Sequence, residues 1–161
     1  MPPEDSATIL LVDDEEIILN SIKSFLAIEN DYDLLTYTSP LLALDDLDKR
    51  IKRIDLVISD YLMPEMDGIT FLAEVKKSLP LVPRILLTGY ADKENAIKAI
   101  NNVGLYQYIE KPWSNEDLRL IIRNGIEKMV LLRQLQKKIH EAEKAHIELG
   151  EIQKDILRVF A

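Results

Sequence analysis

Two rhythms of apolar residues alternate along this chain. Short, largely apolar runs at residues 7–12, 33–38, 55–59, 83–87 and 105–109 have the length of strands. Between them, apolar positions recur at helical spacing. The stretch 15–27 carries Ile17, Ile18, Ile22, Phe25 and Leu26, with acids in its first turn where the helix dipole favours them. A second helix opens at Pro40, capped by Ser39, with Leu41, Leu44 and Leu47 on one face. A third spans 68–78, with Ile69, Leu72, Val75 and Leu79 in phase, and a fourth spans 92–101. A last helix starts behind Ser114, with Glu116 and Asp117 in its first turn.

The order is (βα)₅. Strands apolar on both faces, alternating with helices, predict a doubly wound, five-stranded parallel sheet covered on both sides by right-handed crossovers. Such sheets bind ligands beyond the carboxyl ends of their strands. The polar residues that end these runs therefore matter most. Asp13 and Asp14 follow the first run, Asp60 the third, Thr88 the fourth and Lys111 the fifth. Distant in sequence, they are brought to one crevice by the fold. Three acids and a lysine describe a site for a divalent cation and a phosphoryl group. Mg²⁺ takes hard oxygen ligands and relieves the repulsion among carboxylates. A carboxylate held beside it can become an acyl phosphate. A lysine offsets charge on the transferring oxygens, and the Thr88 hydroxyl can donate to one of them.

The last helix outruns the domain. From Ser114 to Ala161 there is no proline, and Leu132, Leu135, Ile139, Ala142, His146 and Leu149 alternate by three and four residues. That is a heptad seam over nearly three heptads. Beyond Gly150 the phase shifts to Ile152, Ile156 and Val159, a stammer or a hinge. The expected organisation is a tail at 1–6, a domain at 7–125, and a helical coiled-coil extension at 126–161. That extension would pair two copies in parallel and lead to a possible output domain, since the pattern is still running at residue 161.

Composition narrows the function classes. The chain has 161 residues, 47% hydrophobic and 30% charged, and no cysteine. Thiolate metal sites and cysteine nucleophiles are therefore excluded, and a reduced cytoplasmic setting is expected. No apolar run approaches the ~20 residues a membrane helix needs. The net charge of −8 sits in the body: residues 1–112 carry −9 and the rest +1. An acidic body lacks the basic footprint of direct nucleic-acid binding.

Taken together, Asp13-Asp14, Asp60 with Met63-Pro64-Glu65-Met66-Asp67-Gly68, Thr88-Gly89 and Lys111-Pro112 resemble the receiver domain of two-component response regulators, a flavodoxin-like fold. Tyr108, three residues before the lysine, matches that family's switch aromatic. The resemblance covers about residues 7–125, and the five motifs in order are specific where each alone is weak. It implies that Asp60 accepts a phosphoryl group from a histidine kinase or phosphotransfer protein. It also implies that Asp14 binds Mg²⁺ (or Mn²⁺) directly, Asp13 through water, and the Leu62 carbonyl completes the shell. Lys111 would pair with the phosphoryl group, Thr88 and Tyr108 would switch, and Lys111-Pro112 would be cis. The domain would catalyse its own phosphorylation and dephosphorylation without being an enzyme otherwise. Its signal would leave through the face of helix 4, strand 5 and helix 5.

Blander readings stand beside these. Asp13 and Asp14 also suit a helix N-terminus, Thr88 a buried strand end, and Tyr108 a core aromatic with a polar tip. Trp113 reads as a packing anchor for the last helix, and His140 and His146 as bystanders. Leu62 and Tyr90, two residues after Asp60 and Thr88, offer no acid or amide to orient a hydrolytic water, which predicts slow loss of phosphate. A phosphatase would need an acid at Leu62. The wording of residues 88–92 and 110–113 is similar to receivers attached to cyclic-dinucleotide or other enzymatic outputs. The alternative function is a structural dimerisation module whose pocket does not switch.

Overall fold

The computed structural model describes residues 6–29, 32–49 and 53–160; residues 1–5 of the expected tail and the last residue lie outside them. The elements follow the order β1 (Ala7–Val12), α1 (Glu16–Glu29), β2 (Tyr32–Tyr37), α2 (Pro40–Lys49), β3 (Leu56–Asp60), α3 (Gly68–Ser78), β4 (Arg84–Thr88), a 3₁₀ turn (Tyr90–Asp92), α4 (Lys93–Val103), β5 (Gln107–Glu110) and α5 (Asn115–Phe160). All five strands are parallel, in the order β2-β1-β3-β4-β5. The predicted (βα)₅ architecture is thus the observed one. Among the strands the largest offset is β5, which begins two residues later than its apolar run. Gly104 caps α4 in the left-handed region (φ 71°), and the chain reaches sheet geometry only after Tyr106 donates its N–H to the Arg84 carbonyl.

Side chains alternate across the sheet. Ile9, Leu11, Leu56, Ile58, Ile85, Leu87 and Ile109 form one buried cluster with Leu19, Ile22 and Leu26 of α1 and Leu118, Ile122 and Ile126 of α5. The intervening residues face α2, α3 and α4. The helices on that side are unequally held. α3 buries Phe71, Leu72 and Val75, each worth about 1.5–3 kcal/mol. α4 buries only Ala96 and Ala99, which remove far less apolar area from water.

The serine caps act as expected. Ser39 Oγ accepts from Leu42 N at 3.4 Å, and Ser114 Oγ from Asp117 N at 3.1 Å. Trp113 packs against the α1/α5 cluster, the anchoring role read from sequence. α5 approaches the sheet closely through Gly125, where an added Cβ would lie 2.8 Å from Leu56 Cδ1.

The chain divides into two compact units, Met1–Met129 and Val130–Ala161. The second is helix throughout its described length, continuous across Gly150. Most of its apolar residues are exposed, Leu135 at 55%, Ile139 at 49%, Leu149 at 60% and Ile156 at 50%, as are His140 and His146, while Leu132 is half-buried. None of the described helices is long and apolar enough to cross a membrane.

Candidate functional site

Parallel pairing fixes the crevice. β1 and β3 are adjacent, with Val12 opposite Ser59, so the residues that follow, Asp13 and Asp60, sit side by side. The strand order reverses at this pair, which opens a crevice at their carboxyl ends. Backbone hydrogen bonds just past the strands hold the ends in place. Asp13 N donates to Tyr37 O at 3.1 Å, Tyr61 N to Leu87 O at 2.9 Å, and Lys111 N to Thr88 O at 2.8 Å.

The side chains then converge. One carboxylate oxygen from each of Asp13, Asp14 and Asp60 lies within 4.8 Å of the others; Asp13 and Asp60 are buried and Asp14 is exposed. Lys111 Nζ donates to Asp60 Oδ1 at 2.8 Å and lies 3.6 Å from Asp13 Oδ2, too far for a hydrogen bond. Asp13 Oδ1 accepts from Glu15 N at 2.9 Å, so Asp13 also turns the chain into α1, as the blander reading held. Its Oδ2 is buried with no hydrogen-bond partner among the described residues.

The electrostatics follow from this crowding. Burial pushes the Asp13 carboxyl up to about 6, with the Asp60 and Asp14 charges adding to the rise against the Glu15 N–H and Lys111. Burial alone would lower the Lys111 ammonium pKa; its hydrogen bond to Asp60 and the Asp13 charge outweigh burial and raise it. An under-bonded buried carboxylate among like charges fits a hard divalent cation, and the donor set is oxygen only.

The remaining predicted residues surround this cluster. Thr88 is fully buried at the end of β4, its hydroxyl donating to Gly89 O at 3.2 Å. Tyr108 is half-buried on β5, paired in register with Leu86, two residues before Thr88. Thr88 and Tyr108 thus share the sheet face that α4 covers. The Leu62 side chain is 61% exposed. The Lys111–Pro112 peptide is cis.

The need for glycine at position 68 is visible only in the fold. A Cβ there would lie 1.9 Å from the Asp60 carbonyl oxygen, so α3 begins against the backbone of Asp60. Gly68 N donates to Tyr61 O at 2.7 Å, and Asp67 caps the helix through Thr70 N at 2.7 Å, which makes Asp67 a cap. Sequence reasoning also passed over Arg84, whose only signal was a charged residue opening an apolar run.

Residues 9–123 match the model of the response regulator receiver domain. Among curated relatives, the chain is 36% identical over 128 residues to a putative NtrX-like response regulator of Rickettsia bellii, covering 78% of this chain and 26% of that protein. It is 32% identical over 126 residues to the hydrogenase transcriptional regulatory protein HoxA of Cupriavidus necator, covering 77% and 25%. The chain therefore spans about a quarter of the length of these relatives. A solved receiver-domain protein of Clostridium thermocellum is 39% identical and superposes with a TM-score of 0.72, over 78% of this chain and 98% of that one. With a match that starts in β1, ends in α5 and takes in the whole crevice, this chain belongs to the response regulator receiver domain family.

Proposed function

We propose that the domain stores a phosphoryl group on Asp60 as a reversible signal. The observation that carries this reading is the Asp60–Lys111 contact at 2.8 Å, set among three converging carboxylates. An Asp60 carboxylate oxygen forms the new O–P bond as the P–N bond of a phosphohistidine donor breaks. The electron pair leaves on the imidazole nitrogen, which takes a proton from solvent. The donor is a histidine kinase or phosphotransfer protein. Asp14, Asp13, Asp60 and the Leu62 carbonyl would hold Mg²⁺ (or Mn²⁺), with Asp13 helping through water. The cation neutralises charge on the phosphoryl oxygens when bound. Lys111 exchanges its bond to Asp60 for one to the phosphoryl group, and the Thr88 hydroxyl turns from Gly89 O towards it.

Thr88 and Tyr108 then bias a two-state equilibrium felt at α4, β5 and α5. An open cleft of about 690 Å³ on this face, lined by Ile100, Tyr108, Lys111 and Trp113 among others, supports it as the output surface. Residues 126–161 act as a parallel coiled coil that joins two copies, because the exposed Leu/Ile stripe of the second unit needs a cover. The setting is cytoplasmic, and this acidic chain does not bind nucleic acid directly.

The test is Mg²⁺ with acetyl phosphate or beryllofluoride on wild type and Asp60→Asn. A mass or spectral change in wild type alone is the expected result. No change in wild type would leave the structural dimerisation module as the function. Light scattering under the same conditions should report a dimer that residues 126–161 are needed to form. Loss of phosphate from Asp60 is expected to be slow, and to quicken in Leu62→Asn and Tyr90→Glu; unchanged or slower loss sinks that point.

A further inference from the structure

Arg84 is a buried cation with no carboxylate partner among the described residues; it is 4% exposed. Its guanidinium bonds only to backbone carbonyls: Nη1 donates to Leu72 O of α3 at 3.3 Å and to Val103 O at 3.1 Å, and Nη2 donates to Gly104 O at 2.9 Å. Nε is buried with no partner. A guanidinium removed from water at this cost must be held by what it grips. What it grips is the C-terminal end of α4, where the carbonyls carry the negative pole of the helix. Lys76 adds a second cation there, its Nζ 3.5 Å from the place a Gly104 Cβ would occupy.

The other end of α4 is held differently. Asp92 makes no side-chain capping bond, and the helix is entered through a 3₁₀ turn from Gly89, directly after Thr88. Between the two ends only Ala96 and Ala99 are buried. Helix α4 is therefore fastened by charge at one end and by two alanines along its length. β4 carries both controls: Arg84 opens the strand and Thr88 closes it, four residues or about 13 Å further on.

We propose that Arg84 is the fixed pivot of α4, so that movement of this helix is a tilt about Val103–Gly104 in which the end joined to Thr88 swings. The pivot is a property of the unphosphorylated fold. The use of the tilt as a response to Asp60 rests on the phosphoacceptor reading.

Amide hydrogen exchange on the full chain tests the two parts separately. In unmodified wild type, exchange should fall along α4, fastest at residues 93–96 and slowest at 100–103. Arg84→Met keeps the apolar stem but removes the donors. It should speed exchange at 100–104 by about tenfold or more, the loss expected when charge-assisted bonds to carbonyls go, while β1 and the start of α5 hold their rates. Arg84→Lys keeps the charge but loses the fork, and should fall between; it serves if Arg84→Met does not fold. A flat profile along wild-type α4, or a rise in Arg84→Lys spread evenly over the sheet, overturns the pivot. With Mg²⁺ and beryllofluoride, the wild-type change should stay within residues 89–97 and spread to 100–104 in the Arg84 variants. An equal response at both ends of wild-type α4 overturns the tilt. If beryllofluoride leaves every wild-type amide unchanged, the phosphoacceptor reading and the tilt fall together, and the unmodified profile still decides the pivot.

Discussion

The two edges of the sheet bury carboxylates and set them in different company. At the amino edge, Asp55 is 1% exposed. It accepts from Thr8 N at 2.7 Å through Oδ2, while its Oδ1 lies 3.4 Å from Arg53 Nε and its own N–H donates to Thr8 O at 2.8 Å. This acid stitches β1 to the entry of β3. At the carboxyl edge, Asp13 is equally buried, with one oxygen taken by the Glu15 N–H and the other 3.6 Å from Lys111 Nζ, but its neighbours are two more acids. The difference teaches that burial by itself does not mark a functional acid. Asp55 is met by a backbone donor and a cation, whereas Asp13 is crowded by like charges, a repulsion that a divalent cation would relieve.

The sharpest way to break this contrast is through geometry at the carboxyl edge. Gly68→Ala would force its Cβ into the Asp60 carbonyl and is expected to destabilise the domain by about 3 kcal/mol or more. Urea unfolding with a near-normal midpoint would refute the close approach. Next comes the amino edge. Asp55→Ala strands the Thr8 N–H in the interior and should lower stability by about 2–3 kcal/mol, with Mg²⁺ making no difference to the loss.

Asp13→Asn should do the reverse. Without metal it relieves a strained carboxylate while its side-chain oxygen can still serve Glu15 N, and a gain of about 1–2 kcal/mol is expected. Added Mg²⁺ should stabilise wild type more than the variant, narrowing or inverting the difference; parallel responses to Mg²⁺ would count against the cation site. The same group sets a pH dependence. Its folded value of about 6 lies above the ordinary 3.8, so the native state holds the extra proton. Its contribution to stability is fully present below about pH 4 and is lost as pH rises through about 6. Mg²⁺ binding, which needs the carboxylate, should strengthen over that window and do so less in Asp13→Asn. The smallest effect is at Glu65, a non-glycine residue with φ 73°. Glu65→Gly is expected to change stability by less than about 1 kcal/mol and to favour the folded state, as read by thermal unfolding.

Much of the crevice was legible in sequence because strands end where apolar runs end, and a parallel sheet lines up those ends. Asp13, Asp60, Thr88 and Lys111 could therefore be placed from their positions in the pattern. Asp55 and Arg84 stand at the other ends of similar runs, and nothing local separates an acid that stitches strands from one that binds a cation. That distinction depends on which charged groups the fold brings beside the acid.

The (βα)₅ order, the caps at Ser39 and Ser114, the acid–lysine set and the apolar stripe of the last helix can all be read along the chain. These are properties of neighbours along the chain, where periods of two and 3.6 residues decide which face is buried. Folding is needed to bring Lys111 to Asp60 across 51 residues, Gly68 against the Asp60 carbonyl, and Arg84 to the far end of α4. The physical reason is that strand order and crossover place these groups together, and a hydrogen bond or a clash is settled within a few tenths of an ångström. A pattern of apolar positions does not carry that precision.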